Sequence, residues 1–147
     1  MSEDRELVIT RVFDAPRELV FQAWTDPKHV MSWWGPKDFT MTSWTMDLRP
    51  GGAWRGCIRS SKGLDYWSQG VYREIVPPER LVFTFAWDGE HNQPTTETLV
   101  TITFADSGGK TKFTFRQTPF TTVEDRDSHE EGWSESFERL AAHIARP

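Results

Sequence analysis

The sequence predicts an α+β fold in which an antiparallel sheet packs against one long C-terminal helix, in the order β-α-α-β×6-α. Three observations support this prediction. A strand and two short helices open the chain, a β pattern then continues for about 80 residues, and one amphipathic helix closes it. A chain of 147 residues can bury one sizeable core, so we expect a single domain over residues 1–147.

The N-terminal elements are indicated by β-branched residues and by helix-start signals. Residues 6–13 are rich in β-branched side chains, which favour a strand. Asp14 and Pro16 predict the start of the first helix, with Asp14 as a cap and Pro16 in the first turn. A second short helix is expected after Thr25-Asp-Pro27 and should end at Trp33-Trp-Gly-Pro36.

The central region consists of apolar alternation interrupted by turn residues. Arg49-Pro-Gly-Gly52 and Asp106-Ser-Gly-Gly109 are turn signals, since glycine tolerates positive φ. Pro77 and Pro78 stop another strand because proline lacks the N–H that a ladder needs. Consecutive hairpins imply an antiparallel sheet. The predicted strands lie near residues 39–47, 53–60, 65–76, 81–88, 96–106 and 110–118.

The closing helix is predicted over residues 128–145 from a single apolar stripe. Ser128 with Glu131 three residues later matches a capping box and suggests where the helix begins. Side chains three and four positions apart share a helix face, so the stripe should cover the apolar face of the sheet. The stripe consists of Trp133, Phe137, Leu140 and Ile144.

Composition narrows the range of partners. Lysine and arginine number 17 and aspartate and glutamate 22, for a net charge of −5, which disfavours a general nucleic-acid or anionic-membrane binder. No apolar run is long enough to span a membrane, and the charged N-terminal residues lack a signal-type segment. Cys57 is the only cysteine, so no internal disulfide can form and we expect a reducing, cytoplasmic location.

The chain is unusually rich in aromatic residues, with eight tryptophans and ten phenylalanines. Some of these side chains can simply fill a bulky core, whereas several converging on one space would form a ligand cavity. Alternation lets only half of each strand face inward, and a β-bulge would reverse the choice. The candidate lining residues are Trp44, Trp54, Trp67, Tyr72, Phe85 and Trp133, with Trp33, Trp34 and Phe120 at the mouth.

A search for catalytic and metal motifs predicts no metal, cofactor or catalytic residue. His129-Glu-Glu-Gly-Trp133 begins like a zinc-binding helix but has tryptophan where the second histidine belongs. Gly109-Lys-Thr111 ends like a phosphate loop but lacks the earlier glycine, and no Gly-x-Ser-x-Gly elbow exists. Cys57 lies within a predicted strand and fits a small packed side chain. Asp65, Glu90 and His91 are expected in solvated loops.

Glu74 is the one polar residue that we include among the ligand-binding candidates. It interrupts an apolar strand, and a carboxylate inside a cavity can act as an acid or base because desolvation raises its pKa. The simpler alternative is that Glu74 pairs with an arginine such as Arg55 or Arg73, or faces solvent.

Five segments in order along the chain resemble the homologue family of the activator of the heat-shock chaperone ATPase (AHSA-like). They are residues 14–27, Trp33–Pro36, Asp47–Trp54, Gly70–Phe85 and His129–Trp133. The family belongs to the START-like (SRPBCC) superfamily. The resemblance therefore implies a helix-grip fold, a curved antiparallel sheet around one long helix with an apolar cavity between them.

Members of that superfamily hold apolar or aromatic molecules in the cavity, so the resemblance implies binding or sequestration of such a small molecule. Two alternatives stay open: a cyclase- or hydrolase-type enzyme using Glu74, and a chaperone-interacting regulator acting through an exposed surface. One relative is a domain of a eukaryotic co-chaperone that has a further N-terminal domain, which this sequence does not match, so the chaperone regulator is the less favoured alternative. A homodimer is left open.

Overall fold

The computed structural model describes residues 5–89 and 95–145. Glu90 and His91, which were expected in a loop, lie outside the described residues. The predicted element order is confirmed. In chain order the elements are β1 (Leu7–Phe13), α1 (Arg17–Thr25), α2 (Pro27–Trp33), β2 (Phe39–Met46), β3 (Ala53–Ser60), β4 (Asp65–Val76), β5 (Arg80–Trp87), β6 (Thr98–Ser107), β7 (Lys110–Thr118) and α3 (Val123–Ile144).

The seven strands form one antiparallel, curled sheet in the order β1-β7-β6-β5-β4-β3-β2. Strands β2 to β6 each pair with the next strand along the chain, as the turn signals predicted. Strand β1 instead joins β7, with Leu7 opposite Gln117 and Phe13 opposite Thr111. Strands β1 and β2 are the two edges of the sheet, and α1 and α2 lie between them in the chain. The two helices therefore connect one edge of the curled sheet to the other.

Helix α3 packs across the concave face of the sheet and buries the predicted stripe. Its buried side chains are Trp133, Ser136, Phe137, Leu140 and Ile144. The Phe137 ring lies 5.1 Å from that of Phe113 and 5.3 Å from that of Phe115, both on β7. These aromatic contacts join the helix to the sheet and form the centre of the core.

Two helix starts differ from the sequence prediction. Helix α3 begins at Val123, five residues before Ser128, because the Thr122 side chain accepts a hydrogen bond from the Asp125 N–H. At α1 the N-cap residue is Pro16 and no side-chain cap bond forms, so Asp14 is not the cap that was expected. Asp26 caps α2 by accepting from the Lys28 N–H at 3.0 Å.

Two β-bulges determine which side chains face α3. The register of β2 against β3 shifts between Met41 and Ser43, and that of β4 against β5 shifts between Tyr72 and Glu74. Each bulge adds one residue to its strand, which moves every later side chain to the opposite face. The sequence pattern did not reveal either position.

Candidate functional site

The centre of the space between sheet and helix is filled by aromatic side chains. Trp44 and Trp54 stack with ring centroids 5.3 Å apart, and Trp34 lies 5.6 Å from Trp54. Only a gap of about 10 Å³ remains, the size of a single water molecule. That gap is lined by Trp24, Trp34, Trp44, Trp54, Tyr72, Leu81 and Phe83.

A ligand-sized groove of about 490 Å³ opens beside this packed centre. It lies between the first half of α3 and the ends of strands β2 to β5, and it continues onto the segment between α2 and β2. Grooves of this volume accommodate drug-sized molecules. The apolar lining consists of Trp34, Phe39, Ile58, Tyr66, Phe85, Trp87 and Trp133.

One wall of the groove is the segment from residue 35 to residue 39, which Arg139 of α3 holds in place. Its Nη1 donates to the carbonyl oxygens of Gly35 and Phe39, both at 2.9 Å, and to that of Pro36 at 3.3 Å. Gly35 has a φ of 124°, which favours glycine. Charge-assisted hydrogen bonds are stronger than neutral ones, so Arg139 stabilises this wall.

The helix side of the groove is open at Gly132. A Cβ built on Gly132 would have one neighbour within 4 Å, the Cγ of Pro36 at 3.9 Å. The neighbouring Trp133 is buried, and its indole Nε1 donates to the Gln117 side chain at 2.9 Å. A glycine in a helix interior lowers helix stability, and here it leaves space within the groove.

Trp87 and His129 meet across the groove and close one end of it. The Trp87 indole N–H donates to His129 Nε2 at 2.9 Å, and His129 Nδ1 lies 2.8 Å from the Asp125 carbonyl oxygen. An indole N–H only donates, so Nε2 is the unprotonated nitrogen and Nδ1 carries the hydrogen. His129 in this arrangement is a neutral imidazole.

A smaller pocket of about 240 Å³ lies on the other side of this pair. Phe120 lines that pocket and packs against His129, with ring centroids 4.9 Å apart. Phe85, Trp87, Asp125 and His129 border both spaces. The Trp87–His129 hydrogen bond therefore separates the groove from the smaller pocket.

The predicted lining residues do not all border one space in the structure. Trp34, Phe85 and Trp133 line the groove. Trp44, Trp54 and Tyr72 border the water-sized gap instead, and Phe120 borders the smaller pocket rather than the groove mouth. Trp33, also expected at the mouth, is fully buried, and its Nε1 donates to the Ala23 carbonyl oxygen at 2.9 Å.

Trp67 lies on the outer face of the sheet. It pairs with Cys57 of β3. Trp54 and Ile58 in the same strand point toward the core and the groove, and alternation places Cys57, and with it Trp67, on the opposite face. The Arg55 guanidinium lies 4.4 Å from the Trp67 ring centre, a cation–π contact. Trp67 and Tyr72 are five positions apart, so a regular strand places them on opposite faces.

Glu74 also lies on the outer face, for a different reason. The bulge after Tyr72 places Glu74 opposite Val82, whereas Tyr72 lies opposite the inward-facing Phe83. The Glu74 side chain is half exposed, and its carboxylate accepts from Arg80 Nε at 3.1 Å. The ion-pair alternative is thus the observed one, with Arg80 rather than Arg55 or Arg73 as the partner.

Sequence reasoning missed several groove residues: Phe39, Ile58, Tyr66, Trp87, His129 and Gly132. The sequence pattern contained a signal for two of them. Trp87 follows Phe85 by two positions and so shares its strand face, and Gly132 is a glycine within the predicted helix. His129 was expected where the helix begins, but α3 starts six residues earlier at Val123, and the hydrogen bond of His129 to Trp87 depends on a strand 42 residues away.

A second open groove, of about 560 Å³, lies between α2 and the end of α3. His29 Nδ1 and His143 Nε2 are 2.7 Å apart there, a hydrogen-bond distance. Across residues 5–89 and 95–145, no three histidine, cysteine, aspartate or glutamate side chains are grouped to hold a metal ion. Within the same residues, no helix combines the length and apolar character needed to cross a bilayer.

This architecture, a curled antiparallel sheet gripping a long C-terminal helix, defines the helix-grip class. Residues 14–145 match the model of the family described as "Activator of Hsp90 ATPase homolog 1-like protein". The chain belongs to that family. No curated protein matches it.

Several solved structures share the whole fold. A Chromobacterium violaceum protein has 27% identity and a TM-score of 0.88, with 97% of this chain and 99% of that one covered. An AHSA1 protein from Silicibacter pomeroyi has 26% identity and a TM-score of 0.86, covering 95% and 97% of the two chains. An Arthrobacter aurescens protein, at 24% identity, 100% and 90% coverage and a TM-score of 0.89, is similar in fold.

Proposed function

We propose that this protein binds or sequesters a small apolar or aromatic molecule in the groove between the sheet and the first half of α3. The observation that carries the proposal is the groove itself, about 490 Å³ in volume, whose apolar lining is mainly aromatic. Ligand sites are concave and largely apolar, with a few polar groups that orient the ligand. Trp34, Phe85 and Trp133 supply the apolar surface nearest the core.

The other two classes of function have less support. An acid–base enzyme using Glu74 needs that carboxylate beside the ligand, but it faces outward and meets Arg80. A chaperone regulator needs an exposed docking surface, and no observation in the described residues favours one. As Cys57 is the only cysteine, we place the binding function in the cytoplasm.

The proposal is tested by filling the groove from the helix side. Gly132→Phe places a ring where only Pro36 lies near, so it should occupy the groove without entering the core. The probe is N-phenylnaphthylamine, a neutral apolar fluorophore whose emission rises when it leaves water. We expect saturable binding to the parent protein and an affinity loss of at least about tenfold in Gly132→Phe.

The matched control is Gly132→Ala, which adds only one methyl group. It should retain binding and should raise the free energy of unfolding by roughly 0.5–1 kcal/mol, because alanine is the better helix former. Thermal unfolding of both variants separates a blocked groove from a damaged fold. Equal probe affinity in Gly132→Phe and the parent, or no binding by the parent, would refute the proposal.

A further inference from the structure

We propose that the groove selects a ligand that is a cation, an aromatic or apolar molecule carrying an ammonium group. This inference rests on the proposed function and specifies the chemical class of its ligand. It follows from the charges on the rim of the groove, which the apolar lining alone does not predict.

The rim carries three carboxylates, from Asp125, Glu131 and Glu135, and one ammonium group, from Lys37. His129 adds no charge in the observed arrangement, because its Nε2 accepts the Trp87 N–H. The rim is therefore net acidic. An anionic ligand would be repelled there, and a cationic one attracted.

Glu131 is an exposed carboxylate on the first half of α3 that borders the groove. Within the described part of the chain it forms no ion pair, and Glu135 lies one turn after it on α3, whereas Asp127, one turn before it, is paired with Arg126 at 2.8 Å. Like charges four residues apart on a helix are destabilising.

The two other carboxylates are also left without a cationic partner. Glu135 accepts the backbone N–H of Lys37 at 3.0 Å, which orients its carboxylate but does not neutralise it. Arg139 lies one turn further along α3, but its guanidinium donates to the carbonyl oxygens of the 35–39 wall. Asp125 approaches only the neutral His129 ring, at 3.5 Å.

The aromatic lining adds a second attraction for the same charge. Trp34, Trp87 and Trp133 border the groove, and the faces of aromatic rings attract ammonium groups. An aromatic groove with carboxylates on its rim is suited to an organic cation. The apolar part of such a ligand leaves water, and the rings and carboxylates stabilise its charge. A neutral molecule of the same shape would gain the first contribution only.

The test compares three probes of matched shape: naphthylmethylamine, naphthylmethanol and naphthoic acid. Each is titrated near neutral pH, where the amine is charged, against protein loaded with neutral N-phenylnaphthylamine, and its displacement is measured. We expect the amine to bind about 5- to 30-fold more tightly than the alcohol, as cation–π and carboxylate attraction predict. The acid should bind more weakly than the alcohol.

The double variant Glu131→Gln, Glu135→Gln preserves side-chain shape and the acceptor for the Lys37 N–H. It should reduce the amine-to-alcohol preference to roughly threefold or less while leaving the alcohol affinity unchanged. Glu130→Gln is the matched control, since Glu130 is exposed on the same helix and does not border the groove, and it should keep the preference.

The failures of the two proposals are distinguishable. If the amine and the alcohol bind equally, or the acid binds most tightly, the inference of a cationic ligand is wrong and the binding groove stands. If the parent preference survives in the double variant, the rim carboxylates are not its source and the inference is likewise wrong. If none of the three displaces the probe and the probe itself does not bind, both proposals are refuted.

Discussion

Replacing Phe137 by alanine tests whether α3 is the element on which the core depends. Phe137 is 1% exposed. Its ring centroid lies 5.1–6.1 Å from those of Phe113, Phe115, Trp133 and Trp24. These neighbours are large rings held by the sheet and helices, so they cannot collapse into the space that the missing ring leaves.

The expected loss is about 3–5 kcal/mol in the free energy of unfolding, the range for a buried phenylalanine truncated to alanine in a packed core. For a chain of this length, each kcal/mol lowers the melting temperature by roughly 2–4 °C, so the midpoint should fall by roughly 6–20 °C. If Phe137 were partly exposed, the expected loss in the free energy of unfolding would be much smaller.

The assay is chemical denaturation followed by tryptophan fluorescence and by far-ultraviolet circular dichroism. The two signals should coincide, and the slope against denaturant should stay near the parent value while the midpoint shifts. Glu138→Ala is the control, because Glu138 is exposed on the same helix and its replacement should change stability by about 0.5 kcal/mol or less. A loss below about 1 kcal/mol in Phe137→Ala would show that α3 is not the core element described.

Two further predictions concern alkaline stability and the wall of the groove. Burial raises the pKa of Tyr72 above its ordinary value of 10.0, so the unfolded chain ionises first and stability should fall as pH rises above 10. Relative to Tyr72→Phe, the parent should lose up to about 1.4 kcal/mol per pH unit there in denaturant titrations, whereas Tyr66→Phe, at an exposed tyrosine, should behave like the parent. The lysine side chain is shorter than that of arginine and lacks the planar guanidinium, so Arg139→Lys should weaken the hydrogen bonds to the carbonyls of the 35–39 wall. The change should cost about 1–3 kcal/mol and weaken N-phenylnaphthylamine binding. Arg116→Lys, at an exposed ion pair, is its control, and equal effects of the two arginine changes would contradict the role given to Arg139.

The fold could be predicted from the sequence because its signals are local. The turns at Arg49–Gly52 and Asp106–Gly109 indicated neighbouring strands, and the stripe from Trp133 to Ile144 indicated the buried face of α3. Each of these signals depends on residues within a few positions of one another. The pairing of β1 with β7 had no such signal, since its partners are about 100 residues apart.

The candidate site could be predicted only in part, because it depends on which way each side chain faces. Trp34, Phe85 and Trp133 were among the predicted ligand-binding residues, and all three line the groove. Glu74 was not, since one added residue at the bulge after Tyr72 turned it to the outer face. Trp44 and Trp54 face inward as expected but stack on each other, and packing of that kind depends on the three-dimensional distance between strands.

The element order, the antiparallel sheet and the apolar face of α3 follow from the sequence, since periodicity and turn chemistry act over short stretches of chain. The filled aromatic centre and the open space beside it depend instead on tertiary packing. The groove forms where Gly132 on α3 faces the wall held by Arg139, and His129 meets Trp87 at its end. Those contacts join residues far apart in the chain. They form only when helix and sheet are packed together, and local sequence patterns do not specify that placement.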